Sequence, residues 1–148
     1  MDKIFSENDF FLQYPSDWKL EEDADRNGET INLYPPGGCG FWSLSRYPAT
    51  VTESELSKAV LETITAEYVG SEVSPAQDAY GMYALKGYDV EFFYVDFPCC
   101  VTIRTIQHGQ YTYLLFTQRS DTVEEHLTDM FSQITECWVE NLNHCSDD

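Results

Sequence analysis

The sequence predicts an α+β protein, a mainly antiparallel β-sheet flanked by helices as an α/β/α sandwich. Three observations carry this. Turn signals of the hairpin kind recur, with Asn27-Gly28 the strongest of them. Residues 10–47 and about 80–118 have strand composition, either alternating or in short apolar runs. Only the stretches after Thr52 and after Asp121 switch to helical spacing. Strands, helix, strands, helix, with hairpin connections, describe an antiparallel sheet under helices rather than a doubly wound one.

The first strand is Phe10–Tyr14. Pro15 cannot donate a ladder hydrogen bond and opens a turn with Ser16 and Asp17. Trp18–Glu22 alternates Trp18 and Leu20 inward with Lys19 and Glu21 outward. The return strand, after Asn27-Gly28, is Thr30–Tyr34. Pro35–Gly40, "PPGGCG", interrupts it, and Phe41–Tyr47 resumes as a strand.

Thr52 and Glu55 then have the spacing of a capping box, with Val51 and Leu56 as its hydrophobic staple. Leu56, Val60, Ile64 and Tyr68 repeat every fourth residue, so a helix is predicted from Glu53 to about Tyr68, with Gly70 as its stop. Gly81–Phe97 holds one or two strands. Cys100–His108 and Gln110–Arg119 are two more, joined around His108-Gly109. Tyr113–Phe116 is apolar on successive residues, which predicts a central strand covered on both faces. Asp121 caps the last helix with Glu124 three residues on, and Val123, Leu127, Phe131, Ile134 and Trp138 form its apolar stripe. Residues 1–148 read as a single domain, and 143–148 as a frayed acidic tail.

Composition narrows function. The chain has 148 residues, 26 acids against 8 Lys and Arg, and a formal net charge of −18. Nucleic-acid binding and attachment to an anionic membrane both draw on basic side chains, so neither is expected. High solubility, a basic partner or a cationic ligand remain. The opening "MDKIFSENDFF" has no long apolar stretch and no small-residue cleavage site, and no run approaches the about 20 apolar residues of a span. The expectation is therefore a cytoplasmic protein. Five cysteines at irregular spacing (Cys39, Cys99, Cys100, Cys137, Cys145) fit reduced thiols better than a disulfide framework.

Several sharper sites are weighed against plainer roles. Asp23, Asp25, Asn27 and Gly28 match the first half of a calcium loop. The twelfth position, however, is Tyr34 rather than a bidentate Glu, and strands flank the loop, so a solvated hairpin tip is the expectation. Cys99 or Cys100 would need a base such as His108 and an electropositive setting to act as a nucleophile, whereas the surroundings are acidic. Cys99, Cys100, Cys137, Cys145, His126 and His144 lack metal-ligand spacing. "PPGGCG" lacks the Lys-Ser/Thr ending of a P-loop, and no G-x-S-x-G occurs. No cofactor and no catalytic residue is assigned.

Phe10, Tyr14, Pro15 and Trp18 compose an aromatic–x–x–x–Tyr-Pro–x–x–Trp motif. With the order strand pair, Pro/Gly break, helix, antiparallel strands and C-terminal helix, the chain resembles the PsbP-like fold family. That family includes the photosystem subunit PsbP, a yeast import factor that binds the Ran GTPase, and bacterial DcrB-type proteins. The resemblance covers the element order of nearly the whole chain. It implies an α/β/α sandwich that usually binds other proteins, and no functional residue transfers by motif.

The expected function is a non-enzymatic protein-binding module. Its acidic surface, Glu21, Glu22, Asp23, Asp25 and Glu29, would face a basic protein partner, for instance a toxin to be neutralised or an effector to be chaperoned. The alternative is small-molecule binding or weak catalysis in an aromatic cleft walled by Tyr83, Tyr88, Phe93, Tyr94, Tyr111 and Tyr113, residues that cross-strand pairing also explains.

Overall fold

The computed structural model describes residues 3–7, 10–26, 28–38, 40–120 and 125–142. Among these residues nine strands and two helices follow in order: β1 (Lys3–Glu7), β2 (Phe10–Tyr14), β3 (Lys19–Ala24), β4 (Glu29–Tyr34), β5 (Gly40–Pro48), α1 (Glu53–Glu67), β6 (Glu72–Tyr80), β7 (Tyr83–Tyr94), β8 (Phe97–His108), β9 (Tyr111–Ser120) and α2 (Glu125–Glu140). β1 and β2 form a small antiparallel pair. The other seven form one fully antiparallel sheet in the order β3-β4-β5-β9-β8-β7-β6. The α+β architecture is the one that the hairpin signals predict.

Local chemistry explains most boundaries. Trp18 closes the turn after β2 by donating its N–H to Pro15 O at 3.1 Å, so β3 begins one residue later than the alternation suggests. Thr52 Oγ1 accepts the Glu55 N–H at 3.1 Å, the first half of the predicted capping box. Gly70 (φ 85°) and Gly109 (φ 61°) take left-handed backbone where α1 stops and where β8 turns into β9. Asp121, Val123 and Glu124, the expected start of α2, lie outside the described residues, as does the tail 143–148.

Two strands escape the sequence reading. β1, KIFSE, is short and largely exposed. β6, EVSPAQDAY, is a sheet edge that contains Pro75, and most of its side chains are in water. An edge strand needs no inward run of apolar residues, and Pro is tolerated there because one side of the strand makes no ladder.

Helices pack on both faces of the sheet, α2 with β2 on one and α1 over β7, β8 and β9 on the other. Successive strand residues point to opposite sides, and β9 shows the division. Tyr113 and Leu115 join Leu44, Leu85 and Ile106 beneath α2 and β2, packing with Leu12, Phe131, Ile134 and Trp138. Leu114 joins Val90, Val101 and Ile103 beneath Leu56 and Ile64 of α1. The successive apolar residues of β9 therefore belong to a strand buried on both faces, as read from Tyr113–Phe116. Trp18 is a core residue, meeting Phe131 edge-on at 5.9 Å between ring centroids.

Candidate functional site

The acids of the β3–β4 hairpin do not share one face. Register pairs Glu22 with Ile31, which lies in the core beneath α2, so Glu22 points to that side. Glu21 and Asp23 point to the side of α1. Lys19 Nζ lies 2.9 Å from Glu21 Oε1, with both side chains well exposed. Asp25 Oδ1 accepts the Gly28 N–H at 2.9 Å, and Asp25 donates its own N–H to Gly28 O at 2.9 Å. That carboxylate therefore closes the hairpin tip, and Asn27 of the calcium half-motif lies outside the described residues. Glu29 accepts from Arg46 Nη2 at 2.9 Å.

Glu22 sits in a recess of about 330 Å³ between the β1–β2 pair and β3–β4, lined also by Phe5, Phe10 and Ile31. Its carboxyl is pushed above the ordinary glutamate value, first by loss of hydration, then by the charge of Glu7 and by a hydrogen bond shared with it.

The open part of the sheet lies beside α1. Among the described residues α1 makes its main contacts with β8, β9 and β7; on the same face of β5, Tyr47 packs against the α1 cluster and Ser43 and Ser45 are buried, while Glu21 and Asp23 of β3 are exposed. That face carries an aromatic row: Tyr34 and Phe41 stand 6.1 Å apart between centroids, and Phe41 stacks on Phe116 at 5.7 Å. All three are half-buried. At the other end a groove of about 560 Å³ runs between Tyr47 and Pro48 on one side and Val51, Leu56 and Val60 on the other. Glu21 and Asp23, on the edge strand, border this face.

A second concavity, about 270 Å³, lies between α2 and the β6–β9 half of the sheet. Its lining is hydroxyl-rich, with Tyr80, Thr102, Thr117, Thr128 and Ser132, and Arg104 is buried in its floor. Arg104 Nε and Nη2 each lie 2.8 Å from a carboxylate, Asp78 and Asp89, and Nη1 donates to the Tyr88 and Ile103 carbonyls at 3.0 Å. Burial raises the Tyr80 hydroxyl above its ordinary value, and the Asp78 charge adds to this.

Other sequence candidates disperse. Cys99 belongs to the α1 layer, while Cys100 lines the opposite cleft. His108 lies at the far end of β8 from them, nine and eight residues away, roughly 26–30 Å along an extended strand. It packs against Tyr83 and is out of reach of either thiol. Burial pushes the Cys99 and Cys137 thiols up, away from the reactive thiolate. Among the described residues no three His, Cys, Asp or Glu side chains gather as a metal set, and no helix is long and apolar enough to cross a membrane.

The six aromatics do not form one wall. Tyr113 is core, and Tyr111 lies under Arg46. Tyr83 meets His108. Tyr88 lies opposite Ile103 on the α1 side. Phe93 and Tyr94 stand exposed at the end of β7.

Sequence reasoning overlooks the two buried arginines. Arg46 is sandwiched between the Phe10 and Tyr111 rings, at 4.5 and 4.4 Å from their centroids. The available signal is position: both arginines sit inside apolar strand segments of a chain that has few basic residues at all.

No family model matches the chain, and no curated protein does. Among solved structures, a Bacteroides thetaiotaomicron protein superposes with a TM-score of 0.62 at 14% identity, over 90% of this chain and 46% of that one. LpqN, involved in cell envelope biogenesis of Mycobacterium tuberculosis, superposes with a TM-score of 0.46 at 13% identity, over 84% of this chain and 78% of that one. The chain thus spans under half the length of the Bacteroides protein, and the likeness to it concerns fold alone.

Proposed function

We propose that this chain is a non-enzymatic protein-binding module of PsbP-like type, and that it docks a basic partner on the open face of β3, β4 and β5. The observation that supports this most is the part of this sheet face that lies beyond the main contacts of α1. A row of three half-buried aromatics, Tyr34, Phe41 and Phe116, lies next to an edge strand whose outer acids, Glu21 and Asp23, point to the same side. Aromatics in such a patch supply contact area, and the acids steer a cationic partner and set its register. A basic toxin or a basic effector has this chemistry. Glu22, on the opposite side, and Glu29, engaged with Arg46, contribute through the overall field.

The test is affinity capture from the native host's lysate with elution by salt, followed by binding measurements with the captured protein. The double variant Glu21→Lys, Asp23→Lys should weaken binding by about tenfold and flatten its salt dependence. Phe41→Ser should weaken binding with the salt dependence intact. Unchanged affinity and salt dependence in both would remove this face.

A second reading, small-molecule binding, is supported by the cleft beneath α2, with its ring of hydroxyls. Thermal-shift screening of polar metabolites, with Ser132→Phe to fill the cleft, tests it. A shift that persists in the filled variant would count against the cleft.

A further inference from the structure

Among the described residues the hairpin between β7 and β8 extends beyond the neighbouring strands β6 and β9. β6 ends opposite Glu91 and β9 ends opposite Cys99, yet β7 and β8 continue pairing through Phe93–Pro98 to Tyr94–Phe97. On this ribbon Phe93 is 75% exposed, Tyr94 60%, Val95 72% and Phe97 60%. Strand alternation puts Tyr94 and Phe97 on the α1 side of the ribbon and Phe93 on the other, so its apolar surface, about 500 Å² by ordinary side-chain areas, is divided between two sides that meet at Val95.

Two further observations mark the tip as built rather than incidental. Its base is fixed: Tyr68, at the end of α1, stacks on Phe92 at 3.8 Å and meets Tyr94 edge-on at 6.4 Å. Its turn is strained: Val95 (φ 50°) and Asp96 (φ 69°) both adopt left-handed backbone, as a two-residue hairpin turn of this type requires. Asp tolerates that region, but a β-branched residue does not. Asn or Gly would make a better turn, and Val95 packs no core. Its methyl groups are held in water against the backbone's preference.

We propose that this tip anchors a protein partner that presents an apolar pocket rimmed by lysine or arginine. Charge selects this occupant. Asp96 lies at the apex between Val95 and Phe97, and Glu67, Glu72 and Glu91 lie around the base. A second copy would bring the same charges, and a net −18, against these. A bilayer would have to take the Asp96 carboxylate into its apolar interior. A pocket with a basic rim that takes the tip in from both sides covers the rings and meets the acids together. The surface is distinct from the open face: four strands of the sheet separate β3 from β7.

The probe is a fluorescein-labelled amphipathic helical peptide with a leucine face bordered by lysines, compared with a counterpart whose leucines are serines. Fluorescence anisotropy at physiological ionic strength should show the leucine peptide bound about tenfold more tightly than the serine peptide. The double variant Phe93→Ser, Phe97→Ser, unchanged in charge, should abolish that preference. Val95→Asn should reduce it about threefold while raising the thermal midpoint, which separates a binding role from a folding one. Glu21→Lys, Asp23→Lys at the far edge should leave the preference intact, so failure here is distinguishable from failure of the open face. Three results would overturn the proposal: an unchanged preference in Phe93→Ser, Phe97→Ser, tip-dependent self-association in sedimentation, or tip-dependent binding to phosphatidylcholine vesicles.

Discussion

Arg104 Nε lies 2.8 Å from Asp78 Oδ2, so a buried cation on β8 reaches across β7 to the edge strand β6. The residue it crosses is Gly87, directly opposite on β7, where an added Cβ would run into the Ile103 carbonyl. Asp78 and Asp89 remain partly in water, whereas Arg104 does not. The pair is therefore asymmetric. Arg104→Met should destabilise by about 1–3 kcal/mol, because the carboxylates it leaves can hydrate. Asp78→Ala with Asp89→Ala should cost more, about 3–5 kcal/mol, because it strands a buried charge. Urea denaturation of the two variants checks the order.

Trp42 and Thr135 make the corresponding link between the sheet and α2. The fully buried indole N–H donates to Thr135 Oγ1 at 2.9 Å, and that hydroxyl donates to Phe131 O at 2.8 Å. Thr135→Val keeps the shape and removes the acceptor. An expected loss of about 1–3 kcal/mol, recovered by Thr135→Ser, would show that the unpaired N–H is the cause. Equal losses in both variants would indicate packing instead.

Arg46 holds β2 to the sheet through planarity as much as through charge. Its guanidinium lies between two rings and reaches Glu29 at 2.9 Å. Arg46→Lys retains the charge and loses the stacking plane, so a loss of about 1–2 kcal/mol is expected in thermal or urea unfolding. Glu29→Gln, at a half-exposed position, should cost less.

Val95→Asn should stabilise the protein by about 1 kcal/mol, because Asn accepts the left-handed turn that a β-branched residue resists. The urea midpoint should rise with an unchanged slope. A fall would mean that Val95 makes packing contacts that its exposure hides.

Glu22 gives a pH dependence of definite sign. The folded protein holds its proton more tightly than the unfolded chain, so ionisation opposes folding. The stability this contributes is present below the ordinary value of 4.5 and is lost as pH rises past it through the raised folded value. Loss of hydration is the larger cause and Glu7 the next, so Glu7→Gln should bring the Glu22 titration part of the way back. Carboxyl NMR titration of both proteins measures this.

Local signals accounted for most elements because their causes are local. The β3–β4 hairpin falls where Asn27-Gly28 signals one, although Gly28 does not take the left-handed backbone of that turn and Asp25 closes the tip, and Thr52 with Glu55 marks a helix start by capping. The apolar run of β9 announced burial on both faces before any partner was known. β1 and β6 left no such trace, since exposed edge strands are selected by pairing and not by an apolar pattern.

The candidate sites were less legible, and the five hairpin acids show why. Side by side in sequence they look like one surface. Strand alternation sends Glu22 away from Glu21 and Asp23, Asp25 closes its own turn, and Glu29 is engaged by an arginine 17 residues on. The acidic character, the hairpin order and the two helices follow from the sequence by itself. Which acids share a face, why Arg46 and Arg104 are buried, and that the Phe93–Phe97 tip runs past the ends of β6 and β9 were decided only by tertiary structure. These depend on strand register and on where neighbouring strands stop, and both are set between segments distant in the chain.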